Sequence, residues 1–152
     1  MSFLNALINE VSDEEVQERF QDRVAIIQHK IKFMDKVSVV FLNSDNVVIK
    51  DMENLIAEAG GILQESPTAA RVLIYTEPGV GMLQLMGMVP TLLDAQWPAV
   101  EYDRVYLWDD QSAVAETPEN AVDALEDLAE MLYPGYFVFG NEGNNWMSFK
   151  TK

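Results

Sequence analysis

The chain has 152 residues, 49% of them hydrophobic, enough for one sizeable core with little room for a second. Its 25 acidic and 10 basic residues give a formal charge of −15, which argues against nucleic acid or an anionic membrane as partner. Phosphates are repelled, and no basic run offers counterion release. The absence of cysteine excludes disulfides, thiolate metal sites and cysteine nucleophiles.

Met1–Val16 has neither a basic leader region nor a sustained apolar run, so the reading is of a chain without a secretion signal and without membrane insertion. The compartment is then cytoplasmic if Met1 is the native start, and periplasmic or extracellular if a leader has been removed. Ser12-Asp13-Glu14-Glu15 reads as a capping box with Ser12 as N-cap. Val16, Phe20, Val24, Ile27, Ile31 and Met34 form one apolar stripe behind it, which predicts a long lead-in helix over residues 12–35. Val37–Leu42 is a short β-branched run and a predicted central strand. The polar turn Asn43–Asn46 leads into a helix over Val48–Ala59, with Met52, Leu55, Ile56 and Ala59 inward and Gly60-Gly61 as its stop.

Ser66-Pro67-Thr68 reads as a loop and Arg71–Thr76 as a second strand. Glu77–Gly81 is a turn before a helical segment, Met82–Leu93, interrupted near Pro90. Trp97-Pro98 marks a loop, and Arg104–Trp108 is a third strand. Thr117 caps a helix with Pro118 in its first turn, and Ala121, Val122, Leu125, Leu128, Ala129 and Leu132 recur at helical spacing. Tyr133-Pro134-Gly135 stops it. The tail, 138–152, reads either as part of a hairpin between Tyr136–Phe139 and Trp146–Phe149 or as a loose aromatic segment on the core. Alternation of strands and helices predicts an α/β fold, a single three-layer α/β/α domain over 1–152 with a short, mostly parallel sheet.

Ligands of open parallel sheets bind beyond the carboxyl ends of the strands. The loops Asn43–Asn46, Glu77–Gly81 and Asp109–Ser112 occupy that edge and offer Asn43, Ser44, Asp45, Glu77, Gly79, Asp109 and Asp110, with Trp108 at the lip. Such carboxylates suit a hard or organic cation, and equally serve as ordinary turn residues and helix caps. Gly79-Val80-Gly81 lacks the third glycine or the Gly-Lys-Ser/Thr ending of a phosphate cradle, so tight-turn chemistry explains it better. Met82, Met86 and Met88 fit core filling, a cleft for a bulky apolar ligand, or Cu(I). His29 stands alone among polar neighbours, and no serine lies in a nucleophile elbow. The residues contain no catalytic constellation, resident metal site or cofactor motif, and an enzyme is not expected.

From Glu18 to Phe137 the order of these pieces resembles the C-terminal lobe of class III periplasmic substrate-binding proteins, which serve ABC importers for siderophores, haem and vitamin B12. Phe20–Phe33 is similar to the end of the helix that crosses between that family's lobes. Val37–Asn43 with Asn54–Gly61, Trp97–Val100 with Asp103–Asp110, and Asp123–Pro134 are similar to its following strands and helices. The resemblance implies a non-catalytic binding module over 37–137, with a metal chelate or corrinoid as ligand and an ABC permease as partner. Relatives place an arginine near the position of Asn120, facing an anionic ligand. Here Glu119-Asn120 stand, and the edge loops have no Lys or Arg, which favours neutral or cationic ligands. With only about a dozen residues ahead of the crossing helix, one lobe is expected alone. The other wall of the site would then come from a partner or a second copy, as in a homodimer. The alternative is a stand-alone interaction protein derived from that lobe, self-associating and without transport function.

Overall fold

The computed structural model describes residues 3–151. A five-stranded sheet runs in the order β2-β1-β3-β4-β5, with β1 Val37–Leu42, β2 Gly61–Leu63, β3 Val72–Tyr75, β4 Val105–Trp108 and β5 Trp146–Phe149. The first four strands are parallel and β5 is antiparallel to β4. Alternation along the buried strands divides the core in two. Val39, Phe41, Val72, Ile74, Tyr106 and Trp108 face α1 Phe3–Asn9, α2 Glu14–Ile31, α3 Glu53–Glu58 and α6 Pro118–Leu132. Val40, Leu42, Leu73, Tyr75, Val105 and Leu107 face α4 Met82–Met88 and α5 Pro98–Glu101. Both faces are covered, which is why these strands read as unbroken apolar runs. The expected three-layer α/β/α arrangement is therefore present.

Local chemistry sets the element ends. The N-cap of α2 is Asp13 rather than Ser12: its carboxylate accepts from the amides of Glu15 and Val16 at 2.9 and 3.2 Å. An aspartate there also meets the positive end of the helix dipole. Helix α1, unforeseen in the sequence, seats Leu4 and Ile8 in the core, both at most 1% exposed. Arg23 joins α2 to α6 through Asp123 and Glu126, at 2.6 and 2.7 Å, and these carboxylates raise its already high pKa.

The helix expected over Val48–Ala59 is shorter. Val48 bridges Leu42, and Ile49 donates to the Phe41 carbonyl at 2.9 Å, so the chain stays extended beside β1 before α3 begins. Gly60, at φ +89°, then reverses it; an added Cβ there would lie 2.5 Å from the Tyr133 hydroxyl. The chain enters β2, a strand too short for its alternation to be seen in sequence.

Thr117 caps α6 through the Asn120 amide, as expected. The tail is neither a hairpin nor loose. Trp146–Phe149 extends the sheet beyond β4, while Tyr136–Phe139 is irregular. Among the described residues no helix is long and apolar enough to cross a membrane.

Candidate functional site

Because β1, β3 and β4 are parallel, their carboxyl ends open on one edge, and the three loops meet there. The strand order reverses between β1 and β3, where sheets of this kind form a ligand crevice. Here side chains staple that crevice. Ser44 Oγ donates to Glu77 Oε2 at 2.7 Å, and the Tyr75 hydroxyl donates to Asn46 Oδ1 at 2.7 Å. Asn46 Nδ2 reaches the Leu92 carbonyl at 2.9 Å. Burial pushes the Tyr75 phenol pKa upward, so the hydroxyl remains a donor at neutral pH.

The β4 loop is tied to the β3 loop in the same way. Asp110 Oδ2 accepts from the Gly79 amide at 3.1 Å, and Asp109 Oδ1 accepts from the Met82 amide at the start of α4, also at 3.1 Å. Asp109 Oδ2 takes the Gln111 amide at 3.3 Å. Gly79 sits at φ +81°, a conformation that L side chains rarely adopt, and Gly81 donates to Gln84 Oε1 at 2.9 Å. The Gly-x-Gly is a turn that carries the chain into α4.

Asn43 turns back on its own loop, its side-chain Oδ1 accepting from the amides of Asp45 and Val47 at 2.9 and 3.0 Å. Asp45 projects into solvent and Met82 is partly buried against the α4-side core. The edge candidates thus come together, with most of their polar groups spent on bracing one another. Among the described residues no three His, Asp or Glu side chains converge as a metal ion requires.

Two candidates stand apart from the stapled crevice, Trp108 in the core and Asn120 on the α6 side of the Asp109–Ser112 loop. Trp108 is not at the lip. As the last residue of β4 it faces α6, is 0% exposed, and donates its indole N–H to Asp127 Oδ2 at 3.1 Å. Its ring meets Phe41 edge-on at 5.9 Å. Strand parity decides this: Trp108 shares a face with Tyr106, and that face is roofed by helices. Asn120, in the first turn of α6, opens instead on a polar cavity of about 120 Å³ with Gln111, Ser112, Asp123, Asp127 and Asn145. That volume suits a few waters, at about 30 Å³ each, rather than a chelate.

Asp127, which lines this cavity, and Glu130, one turn further along α6, belong to no catalytic or metal-binding motif of the sequence. Both are nearly fully buried, at 0% and 4% exposure. Asp127 accepts from Trp108 and from Asn145 Nδ2 at 3.2 Å, and Glu130 accepts from Trp146 Nε1 at 3.1 Å and the Phe139 amide at 2.8 Å. Burial pushes the Asp127 carboxyl up to about 6, against the opposing pull of these hydrogen bonds. A signal was present: Asp127 follows Ala124 by three residues and precedes Met131 by four, which places it on the apolar face.

No protein-family model matches the sequence, and no curated protein resembles it significantly. Solved structures do share its fold. An ABC transporter substrate-binding protein from Listeria monocytogenes superposes with a TM-score of 0.64 at 18% identity, over 86% of this chain and 62% of that one. A TroA-like periplasmic binding protein, FepB, from Veillonella parvula gives 0.59 at 14% identity, over 81% of this chain and 47% of that one. The periplasmic vitamin B12 binding protein BtuF of Vibrio cholerae gives 0.58 at 16% identity, over 85% and 58%. In each case the chain spans less than two thirds of the other protein. Its fold is that of one lobe of a class III periplasmic substrate-binding protein.

Proposed function

We propose that this protein is a non-catalytic binding module whose ligand surface is the carboxyl edge of the sheet, and whose ligand is a neutral or cationic metal chelate or corrinoid. The observation that carries this reading is the cross-bracing of the three loops. Ser44–Glu77, Gly79–Asp110 and Met82–Asp109 hold the edge in one shape before any ligand arrives, which lowers the ordering cost of binding. The loops carry Asp45, Glu77, Asp109 and Asp110 and no Lys or Arg, so an anionic ligand would be repelled. Leu83 and Met86, 78% and 39% exposed on α4, supply apolar surface just beyond the Glu77–Gly81 turn.

The fold neighbours support a small-molecule ligand and an ABC permease as the eventual partner. A single lobe offers one wall, so binding by this chain alone should be weak. The test is titration with cyanocobalamin and with a neutral or cationic ferric siderophore, haem with its two propionates serving as the anionic control, following backbone amide resonances. Saturable shifts at Asp45, Gly79, Gly81 and Asp110 are expected. No shift with cyanocobalamin or the siderophore at high micromolar concentration overturns autonomous binding.

The exposure of Leu83 favours a second reading, in which the same edge is covered by another copy of the chain as a homodimer. Sedimentation at increasing concentration separates the two: a strict monomer throughout eliminates the dimer, and a dimer dispersed by Leu83→Asp supports it.

A further inference from the structure

The opposite, amino-terminal edge of the sheet has the reverse chemistry. Lys36, Arg71 and Arg104 immediately precede β1, β3 and β4, and Lys150 immediately follows the antiparallel β5. The sheet order therefore lines up four cations that lie far apart in sequence. Between two of them is a cavity of about 290 Å³ lined by Arg71, Tyr102 and Arg104.

We propose that this cavity binds a small oxyanion, a phosphate or carboxylate group on a compact ligand. The site lies across the sheet from the carboxyl edge and is independent of the binding surface argued for there.

Arg104 is held in place. Its Nε donates to the Tyr106 hydroxyl at 2.8 Å, and its Nη2 donates to the carbonyls of Met131 and Leu132 at 3.1 and 3.2 Å. The β4 hydroxyl and the two carbonyls at the end of α6 are all neutral acceptors, so they fix the guanidinium without neutralising it. Arg71 is exposed. Among the described residues neither arginine forms an ion pair; the basic groups that do are Arg23, Lys50 and Lys150. The neighbouring Asp103 is engaged by the Thr151 amide and hydroxyl, at 2.8 and 2.9 Å, and by Lys150 at 3.8 Å.

Arg71 keeps its whole planar fork, which matches an oxyanion, and Arg104 adds a fixed positive charge with only its Nη1 donors left over. The volume is near the lower limit of small-molecule sites, which run from about 300 Å³ upward. It suits a phosphate, a sugar phosphate or a small dicarboxylate, with the Tyr102 ring beside it. The net charge of −15 does not forbid this. Strand β3, with 4 residues, places the carboxyl-edge loops about 13 Å away, beyond the ~8 Å screening length at physiological salt; of the nearer carboxylates, Asp103 is held by Thr151 and Lys150 and Glu101 is exposed to solvent.

The experiment is a titration with inorganic phosphate, pyrophosphate and malonate at constant ionic strength, following the amides of residues 71–73 and 102–105 and the arginine Nε–H signals. Saturable shifts confined to these groups are expected, with affinity lowered about tenfold in Arg71→Ala and unchanged within about twofold in Lys36→Ala. Saturation by phosphates identifies a phosphoryl ligand, and saturation by malonate alone a carboxylate. Shifts that never saturate, that chloride reproduces, or that weaken equally in the Lys36 variant would mean a diffuse edge charge and overturn the site. Arg71 is exposed, so its variant should fold; an unchanged amide spectrum away from the cavity verifies this.

Discussion

Asp109 and Asp110 end β4 in a loop, whereas Asp127 and Glu130 lie on the inner face of α6, and the same carboxylate group works differently in the two places. In the loop both Asp109 oxygens and Asp110 Oδ2 each accept a backbone amide while water reaches the rest of the group. Losing such a bond exposes a donor that solvent can satisfy. On α6 the carboxylates are shut in with two indoles, an asparagine amide and a backbone amide, and they moor the tail from Phe139 to Trp146. There a lost acceptor strands buried donors. Equal side chains thus carry unequal energies, and the sequence marks as interesting the set that matters less to stability.

The largest effect should come from Glu130→Ala. It leaves the Trp146 indole and the Phe139 amide without acceptors and frees the tail, at a cost of about 3 kcal/mol. A urea midpoint no different from that of the parent chain would contradict the account of the tail.

Asp127 gives a pH signature. Its folded pKa, about 6, lies above the unfolded value near 4, so the folded protein binds more protons between them. Stability should fall as pH rises through that window, by on the order of 3 kcal/mol from this group, with the full penalty present above pH 6. Urea unfolding from pH 4 to 7 should show the slope flattened in Asp127→Asn and retained in Asp109→Asn. Retention of the slope in the Asp127 variant would assign it to other groups.

The loop set should yield the smallest change. Asp109→Ala removes the acceptor of the Met82 and Gln111 amides and should cost about 1 kcal/mol, with faster amide exchange confined to the first turn of α4. A loss as large as that of Glu130→Ala would erase the distinction between the two sets.

Much of the layered fold was legible because its signals are local. β-branched runs between turn residues marked β1, β3 and β4, and Thr117-Pro118 with helical spacing marked α6. The errors occurred where a distant partner decides. Val48 and Ile49 suit a helix but are held by β1, and Trp146–Phe149 becomes a strand because β4 offers an open edge. The meeting of the edge loops is legible, since parallel strands place their carboxyl ends together. The burial of Trp108 is not, because lip and core differ by one residue of strand parity.

Composition, periodicity and capping chemistry by themselves determined an acidic α/β chain with both faces of its sheet covered, and an order of elements resembling one lobe of a binding protein. They also indicated that the carboxyl edge carries no cation. Tertiary structure alone decided which polar groups are spent. It set Asp127 and Glu130 beneath indoles, stapled Ser44 to Glu77, and aligned Lys36, Arg71, Arg104 and Lys150 along one edge of a chain that shows no basic run. The physical reason is range. Capping and periodicity act within a few residues, whereas strand order and register bring together charges from across the whole chain.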